Sequence, residues 1–160
     1  MVFYNGRHFR NILMKFKIDH IGYVVKNLNN ALKYYKNNYN FIPITKIIIE
    51  KAHGVKLIFL DLGTSSVPAL ELIQPINKKS KVYNFLKRNG DSFHHLAYEV
   101  ENINKSIIFL KKKNFLQIST IVPGAGHNRA NTVWLMGNKK ELIELVEKQK
   151  NLPNYKRFTR

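Results

Sequence analysis

Two stretches of the chain, 75 residues apart, share one pattern and decide the fold. Residues 18–41 read IDHIGYVVKNLNNALKYYKNNYNF, and residues 93–115 read FHHLAYEVENINKSIIFLKKKNF. Each stretch reaches a histidine, alternates as a short strand does, passes an asparagine, and continues with apolar residues three and four positions apart. Each therefore predicts a strand followed by an asparagine-capped helix, and the two copies indicate an internal repeat.

The segments after the two predicted helices also correspond. Each helix is followed by three strand-like runs separated by turn residues, at 44–49, 56–62 and 69–74 in the first copy and at 117–122, 132–136 and 141–146 in the second. The last runs carry related tetrapeptides, LELI at 70–73 and IELV at 143–146. Each copy therefore predicts a strand, a helix and three further strands.

This repeat divides the chain into five segments. We expect an N-terminal extension at 1–15, a first module at 16–76, a helical linker at 77–91, a second module at 92–148 and a basic C-terminal tail at 149–160. The linker contains NKKSKVYNFLKRNG, which places apolar residues on one side of a short helix and ends in a glycine. We expect one domain, because 160 residues with 44% hydrophobic content suffice for a single core.

Composition excludes several kinds of protein. No cysteine occurs, so disulfides, thiolate metal ligands and cysteine nucleophiles are excluded. The apolar runs are far shorter than the roughly 18 to 20 residues of a membrane helix. The N-terminal residues are basic but lack the continuous apolar core of a signal peptide, so a cytoplasmic location is expected.

The net charge of +17, from 27 basic and 10 acidic residues, attracts anions of every kind. The basic residues are mostly lysines spread along the whole chain, as a compositional bias without any binding role would also produce. A small anionic substrate is the alternative interpretation. No nucleic-acid motif is present and arginine is scarce, so we expect no specific nucleic-acid partner.

The repeat places His20 and Glu71 in positions equivalent to His95 and Glu144. If the first and last strands of a copy lie side by side, its histidine and glutamate point from the same face, and a pseudo-twofold axis brings both pairs to one point. Taken singly, each glutamate fits a solvent-facing residue and each histidine a hydrogen-bonded core residue. Two imidazoles and two carboxylates together suit one divalent cation, whether Zn, Ni, Co, Mn or Fe.

Several motifs in combination carry a family resemblance. IDHIGYVVKNL, LELIQP, FHHLAYEV, PGAGHNRANTVWL and LIELVE together resemble the vicinal oxygen chelate superfamily, and within it the methylmalonyl-CoA epimerases and related glyoxalase-type proteins. The resemblance covers about residues 16–148. It implies an α+β fold in which two βαβββ modules form an open, cupped mixed β-barrel around a metal site, commonly in a homodimer. The implied metal ligands are His20, Glu71, His95 and Glu144.

The resemblance also implies a function. We expect a divalent-metal-dependent isomerase or epimerase that abstracts a proton next to a metal-bound carbonyl of a small anionic carbonyl compound or thioester. In some bacterial epimerases a further carboxylate on a first-half strand acts as the base, but the matching position here is Leu57, so Glu71 and Glu144 are the candidate catalytic residues. Arg129, in the loop PGAGHNRAN, is the candidate substrate-binding residue, although that loop also fits a plain turn.

Other functions of the same superfamily stay open. The alternatives are a glyoxalase I-type lactoylglutathione lyase, a dioxygenase and a non-enzymatic protein that binds a small ligand. A set of four ligands counts against a dioxygenase, which usually presents two histidines and one glutamate. Among the other histidines, His94 is expected to face the other side of its strand and to pack in the core or against a metal ligand, whereas His8, His53 and His127 are expected to be solvated.

Overall fold

The computed structural model describes residues 14–63 and 68–149. The helices in these ranges are α1 (Leu28–Tyr39), α2 (Tyr83–Asn89) and α3 (Ile103–Lys111). The strands are β1 (Lys17–Val24), β2 (Ile42–Pro43), β3 (Ile48–Glu50), β4 (Val55–Asp61), β5 (Ala69–Pro75), β6 (Ser92–Val100), β7 (Leu116–Gln117), β8 (Val122–Pro123), β9 (Asn131–Met136) and β10 (Leu142–Glu147). The predicted extension at 1–15 and tail at 149–160 lie almost wholly outside the described residues.

All ten strands join one mixed sheet, which confirms the predicted α+β class. The strand order is β2-β4-β5-β1-β6-β10-β9-β7, with β3 also on β4 and β8 also on β9. Within each copy the first and last strands run parallel, β1 beside β5 and β6 beside β10, as the position of the candidate ligands requires. The antiparallel pair of β1 and β6 joins the two copies at the centre. Within the described residues β2 and β7 do not pair, so the sheet is open.

Both long helices begin as the repeat predicts. The side chain of Asn27 accepts a hydrogen bond from the backbone N–H of Asn30 at 3.0 Å, and that of Asn102 accepts one from Lys105 at 2.9 Å. These bonds satisfy backbone donors that the first helical turn leaves open. Helix α1 ends at Asn40, whose φ of 58° is the left-handed conformation that terminates helices.

The predicted strands at 44–49 and 117–122 are each split in two, and these predictions were wrong. In the first copy the backbone N–H of Phe59 donates to the hydroxyl of Thr45 at 3.1 Å. In the second copy the N–H of Trp134 donates to the hydroxyl of Ser119 at 2.9 Å. Because a side-chain oxygen replaces a backbone carbonyl at the same place in both copies, the regular ladder is interrupted there.

The core is divided between the two copies. Leu28 and Ala31 of α1 pack among apolar residues of β4 and β5, and Ile103 and Ile107 of α3 pack among those of β9 and β10. The linker helix α2 docks against the first copy, where Val82 is buried with Phe85 and Leu86 packed beside it. Among residues 14–63 and 68–149, no helix combines the length and the apolar character needed to cross a bilayer.

Candidate metal centre

The sheet register brings the four predicted ligands to one place. Two neighbouring rows across the central strands carry them: Glu71, Gly22 and His95 in one row, and His20, Ala97 and Glu144 in the other. Since side chains alternate between the two faces of a strand, residues two positions apart share a face. The repeat and the parallel pairing within each copy therefore place two histidines and two glutamates on one face.

The distances show how closely the side chains converge. The Nε2 atoms of His20 and His95 lie 3.1 Å apart. The Nε2 of His20 lies 3.4 Å from Oε2 of both Glu71 and Glu144, and the Nε2 of His95 lies 3.5 Å from Glu71 and 3.8 Å from Glu144. Both histidines are fully buried and both glutamates are only 6% exposed. Two acidic and two imidazole groups thus share one buried centre.

A β-bulge precedes each of the two histidines. The register of β1 and β6 skips Asp19 on one strand and His94 on the other. An extra residue in a strand is displaced from the normal alternation, so its side chain is re-aimed. Asp19 thereby places Oδ2 2.9 Å from Nδ1 of His20, and His94 places its Nδ1 2.9 Å from Nδ1 of His95. The expectation that His94 faces the other side of its strand was therefore wrong, whereas its contact with His95 agrees with the expected packing against a candidate ligand.

The two central histidines differ in proton affinity. Burial opposes a charge on His20, but hydrogen bonds to carboxylates, led by that of Asp19, outweigh burial and raise its pKa well above 6.5. Burial lowers the pKa of His95 well below 6.5, and the neighbouring imidazoles lower it further. Burial also lowers the pKa of His94 to about 4, so this ring is neutral at pH 7. The cluster therefore favours positive charge on the side of His20.

These residues fit a divalent cation by the chemistry of their donor atoms. The Asp19 carboxylate accepts from Nδ1–H of His20, which leaves a lone pair on Nε2. A neutral His94 accepts in the same way from Nδ1–H of His95, with tautomers assigned from the network. Two lone pairs and two carboxylates then face one another, and one proton can satisfy only part of this set. One divalent cation would satisfy all four groups.

Ligand atoms of His20, Glu71 and His95 lie within 4.8 Å of one another, as metal ligands do. Asp19, His20 and His127 form a second such group, which shares His20 with the first. In that second group the Nδ1 of His20 faces Asp19, whereas its Nε2 faces the glutamates. We therefore infer that Asp19 orients the imidazole of His20 and is not itself one of the candidate metal ligands.

Aromatic rings enclose the cluster on both sides. Phe59 pairs in register with Glu71, and its ring lies 5.2 Å from that of His20. Trp134 pairs with Glu144, and its ring lies 4.6 Å from that of His95 in an edge-to-face arrangement. The two contacts are equivalent in the repeat, and each restricts the rotation of one imidazole while excluding water.

His127 is buried, so the expectation that it is solvated was wrong. Its ring stacks on that of His20 with 5.1 Å between centroids and is 4% exposed. The loop at 124–130 folds over the cluster, closed by a hydrogen bond from Gly124 to the carbonyl of Ala130. Gly126 lies so close to Phe59 that an added Cβ would be 2.6 Å from the ring. Glycine thus permits the approach that buries His127.

The remaining histidines differ in surroundings. His53 is half-buried rather than solvated, with its Nδ1 2.8 Å from a carboxylate oxygen of Glu50. His8 lies outside the described residues. Arg129 is exposed on the loop at 124–130 and belongs to the wall of neither cavity beside the cluster. Its role in substrate binding stays a prediction.

Two cavities adjoin the cluster. The larger, of about 240 Å³, has mostly apolar walls that include Ile73 and Leu142, and it reaches Glu71 and His95. The smaller, of about 40 Å³, reaches Glu71 and Glu144. Leu57 lines both cavities and is buried, as an apolar wall residue. A small polar ligand with an apolar part can therefore reach the cluster from the larger cavity.

Sequence reasoning missed Asp19 and the pair formed by Glu50 and His53. A signal for Asp19 was present. A polar residue directly precedes the histidine in both copies, Asp19 before His20 and His94 before His95, although regular alternation would turn that residue to the face opposite the histidine. The pair of Glu50 and His53 had no such signal, since nothing in the second copy matches it.

Comparison with known proteins agrees with this geometry. Residues 19–133 match the sequence profile of the Glyoxalase/Bleomycin resistance protein/Dioxygenase superfamily. The chain belongs to this superfamily. Human mitochondrial methylmalonyl-CoA epimerase is 30% identical over 114 residues, which cover 71% of this chain and 62% of the human protein. The mitochondrial methylmalonyl-CoA epimerase of Dictyostelium discoideum is 29% identical over 150 residues, covering 90% of this chain and 87% of that protein.

Solved structures of the superfamily share the fold. A methylmalonyl-CoA epimerase in complex with methylmalonyl-CoA and NH4+ superimposes with a TM-score of 0.74 at 22% identity, covering 83% of this chain and 94% of that one. The aligned part spans less than two thirds of the human relative, so a shared fold does not by itself transfer that protein's activity. The likeness establishes the architecture of this superfamily member.

Proposed function

We propose that the protein is a divalent-metal-dependent epimerase that moves the proton next to the carbonyl of a methylmalonyl-CoA-like thioester. One observation carries the proposal: two imidazole nitrogens and two carboxylates meet at a buried centre that adjoins a cavity. The similarity of the chain to methylmalonyl-CoA epimerases supports this substrate class.

In this proposal His20, His95, Glu71 and Glu144 hold the cation. When bound, a divalent cation supplies positive charge that stabilises the negative charge developing on a carbonyl oxygen. The protein's own contribution is orientation and exclusion of water. Hydrogen bonds to Nδ1 fix the tautomer of each imidazole. The rings of Phe59 and Trp134 exclude water from the cluster, and electrostatic interactions are stronger there than in water.

Proton transfer within the cluster is assigned to Glu71 and Glu144. A carboxylate takes the proton from the carbon beside the carbonyl, the electron pair moves toward the carbonyl oxygen, and return of a proton on the other face gives the epimer. Glu71 lines both cavities, so its carboxylate is accessible to a ligand in either. Arg129, exposed on the loop at 124–130, is proposed to pair with an anionic group of the substrate.

A homodimer, a cytoplasmic location and the alternative lyase and ligand-binding functions stay predictions from the sequence. The choice between epimerase and lyase depends on the substrate that loses its proton.

The direct test is isotope exchange. The purified protein, loaded with a divalent metal, is incubated with one epimer of methylmalonyl-CoA in D2O, and deuterium at the acidic carbon is measured by mass spectrometry. We expect deuterium incorporation together with formation of the other epimer. Glu144→Gln should abolish both, whereas Glu101→Gln, which alters an exposed partner of Lys148, should change neither. Absence of exchange, with turnover of the glutathione hemithioacetal of methylglyoxal, would reject the epimerase in favour of the lyase.

A further inference from the structure

A second acid-base pair lies beside the cluster, on an element that holds none of the four candidate ligands. Glu50 ends β3, and His53 lies in the turn that joins β3 to β4. The carboxylate oxygen of Glu50 lies 2.8 Å from Nδ1 of His53, with the two side chains 20% and 24% exposed. Both groups are thus accessible to a ligand and partly shielded from water.

The pair faces the same space as the metal centre. Five residues line both cavities: Glu50, His53, Leu57, Glu71 and Trp134. Glu50 and Glu71 are the carboxylates among them, so a ligand in either cavity meets at least one carboxylate of the cluster and also Glu50, which lies outside it. Lys81, the ammonium group in the larger cavity, can carry a charge contact but is a poor proton acceptor at neutral pH.

The backbone fixes the turn that carries the pair. The carbonyl of His53 accepts hydrogen bonds from the hydroxyl of Ser80 at 3.1 Å and from the N–H of Lys81 at 3.3 Å. Gly54 packs against Ser80 so closely that an added Cβ would lie 3.2 Å from its Cα. The turn is therefore docked on the segment before α2, and Glu50 is held at a defined position in the cavity wall.

Epimerisation needs proton transfer on two faces of one carbon. A carboxylate that ligates a divalent cation is a weaker base than a free one, because the cation stabilises its ionised form. Glu71 and Glu144 are both weakened as bases in the proposed centre, whereas Glu50, within the described residues, pairs with His53 and forms no hydrogen bond or ion pair with the four candidate ligands. A carboxylate outside the cluster is therefore the better base for one of the two faces.

We infer that Glu50 is a catalytic proton-transfer residue and that His53 positions it; this inference rests on the proposed epimerase function. The Glu50 carboxylate removes the proton from the acidic carbon, so that a C–H bond breaks and an O–H bond forms, while the electron pair moves to the carbonyl. A glutamate of the cluster delivers a proton to the opposite face, and the electron pair returns to a C–H bond. No oxidant or reductant is consumed.

The experiment uses the metal-loaded full chain and each epimer of methylmalonyl-CoA separately, in D2O. Glu50→Gln keeps the size of the side chain and an oxygen that can accept from His53. We expect epimerisation to fall by roughly 100-fold or more, as loss of an acid-base group does. One epimer should still exchange its proton with solvent and the other should not, because only the carboxylates of the cluster, on one face of the substrate carbon, remain as bases. Glu101→Gln is the matched control and should leave both reactions unchanged.

Three measurements separate the outcomes. Epimerisation by Glu50→Gln within threefold of wild type, or equal loss of exchange from both epimers, would overturn the role of Glu50. Metal content equal to wild type would exclude an indirect effect through the cluster, whereas a Glu50→Gln variant that loses its metal would overturn the inference. Absence of exchange in the wild-type protein would instead refute the proposed function itself.

The role of His53 has its own readout. If it positions Glu50, His53→Asn should lower kcat about tenfold and leave KM within about twofold, since binding contacts are kept while the base is less well held. A rise in KM with unchanged kcat would show that His53 binds substrate and would overturn its positioning role.

Discussion

The two copies of the repeat hold their histidines by different means. In the first copy the bulged residue Asp19 gives His20 an ionised partner, and the pKa of His20 is raised. In the second copy the bulged residue His94 gives His95 a neutral partner, and burial together with the neighbouring imidazoles lowers the pKa of His95. A bulge directly before each candidate ligand thus supplies different partners, an ionised one to the histidine of high proton affinity and a neutral one to the histidine of low proton affinity.

The two copies of the repeat therefore agree more closely in backbone geometry than in side-chain chemistry. The strand pairings, the aromatic ring beside each imidazole and the hydroxyl that interrupts each outer strand occur in both copies. What differs is the charge of the supporting group. We expect the two sides of the metal centre to respond unequally to equivalent substitutions.

The largest expected effect comes from Gly22, which lies beside the ring of His95. A Cβ added to Gly22 would overlap that ring, whereas the equivalent position opposite His20 already carries Ala97. Gly22→Ala should therefore displace His95, lower metal affinity by roughly 100-fold and cost about 1 to 3 kcal/mol of stability through overpacking. Calorimetric metal titration and chemical denaturation measure the two effects.

Ala97→Gly is the matched control for Gly22→Ala. It should leave metal affinity nearly unchanged and cost only about 0.5 to 1 kcal/mol, because it removes a small side chain from a strand interior. Equal losses of metal affinity in the two variants would show that the copies do not differ at this position.

Asp19→Asn should have the next largest effect. The amide keeps the size of the carboxylate but not its charge, so it orients His20 less strongly, and metal affinity should fall by about 10- to 100-fold. Titration with Zn²⁺ or Co²⁺ under one set of conditions measures the loss. An affinity equal to that of the wild type would contradict the orienting role of the carboxylate.

His94→Gln should weaken metal binding less than Asp19→Asn does. A neutral hydrogen-bond partner contributes about half as much as an ionised one, so we expect a loss of about three- to tenfold. The same titration applies. A larger loss for His94→Gln than for Asp19→Asn would reverse the proposed ranking of the two copies.

The smallest effect is expected far from the centre, at the two helix caps. Asn27→Ala and Asn102→Ala each remove one side-chain bond to the first helical turn and should cost about 1 kcal/mol. The two losses should be equal and metal affinity unchanged. Unequal losses in chemical denaturation would show that the copies differ in helix stability as well as in the support of their histidines.

The convergence of His20, Glu71, His95 and Glu144 could be predicted from the sequence, because these residues obey strand alternation within a detectable repeat. It could not predict the side on which His94 lies, because a bulge is a property of two paired strands and reverses the alternation. His127 was misjudged since its burial depends on a loop folding over His20, a contact between distant segments. The pair of Glu50 and His53 likewise depends on how one turn docks on the linker.

The metal content of the purified protein shows whether the four side chains hold a cation. Protein purified without chelators and analysed by inductively coupled plasma mass spectrometry should carry about one divalent cation per chain, as a four-ligand site requires. His20→Ala and His95→Ala should each lose it, while His53→Ala should retain it. A wild-type protein without bound divalent metal even after incubation with Zn²⁺, Co²⁺ or Mn²⁺, or variants of His20 and His95 that bind as much as wild type, would contradict the account.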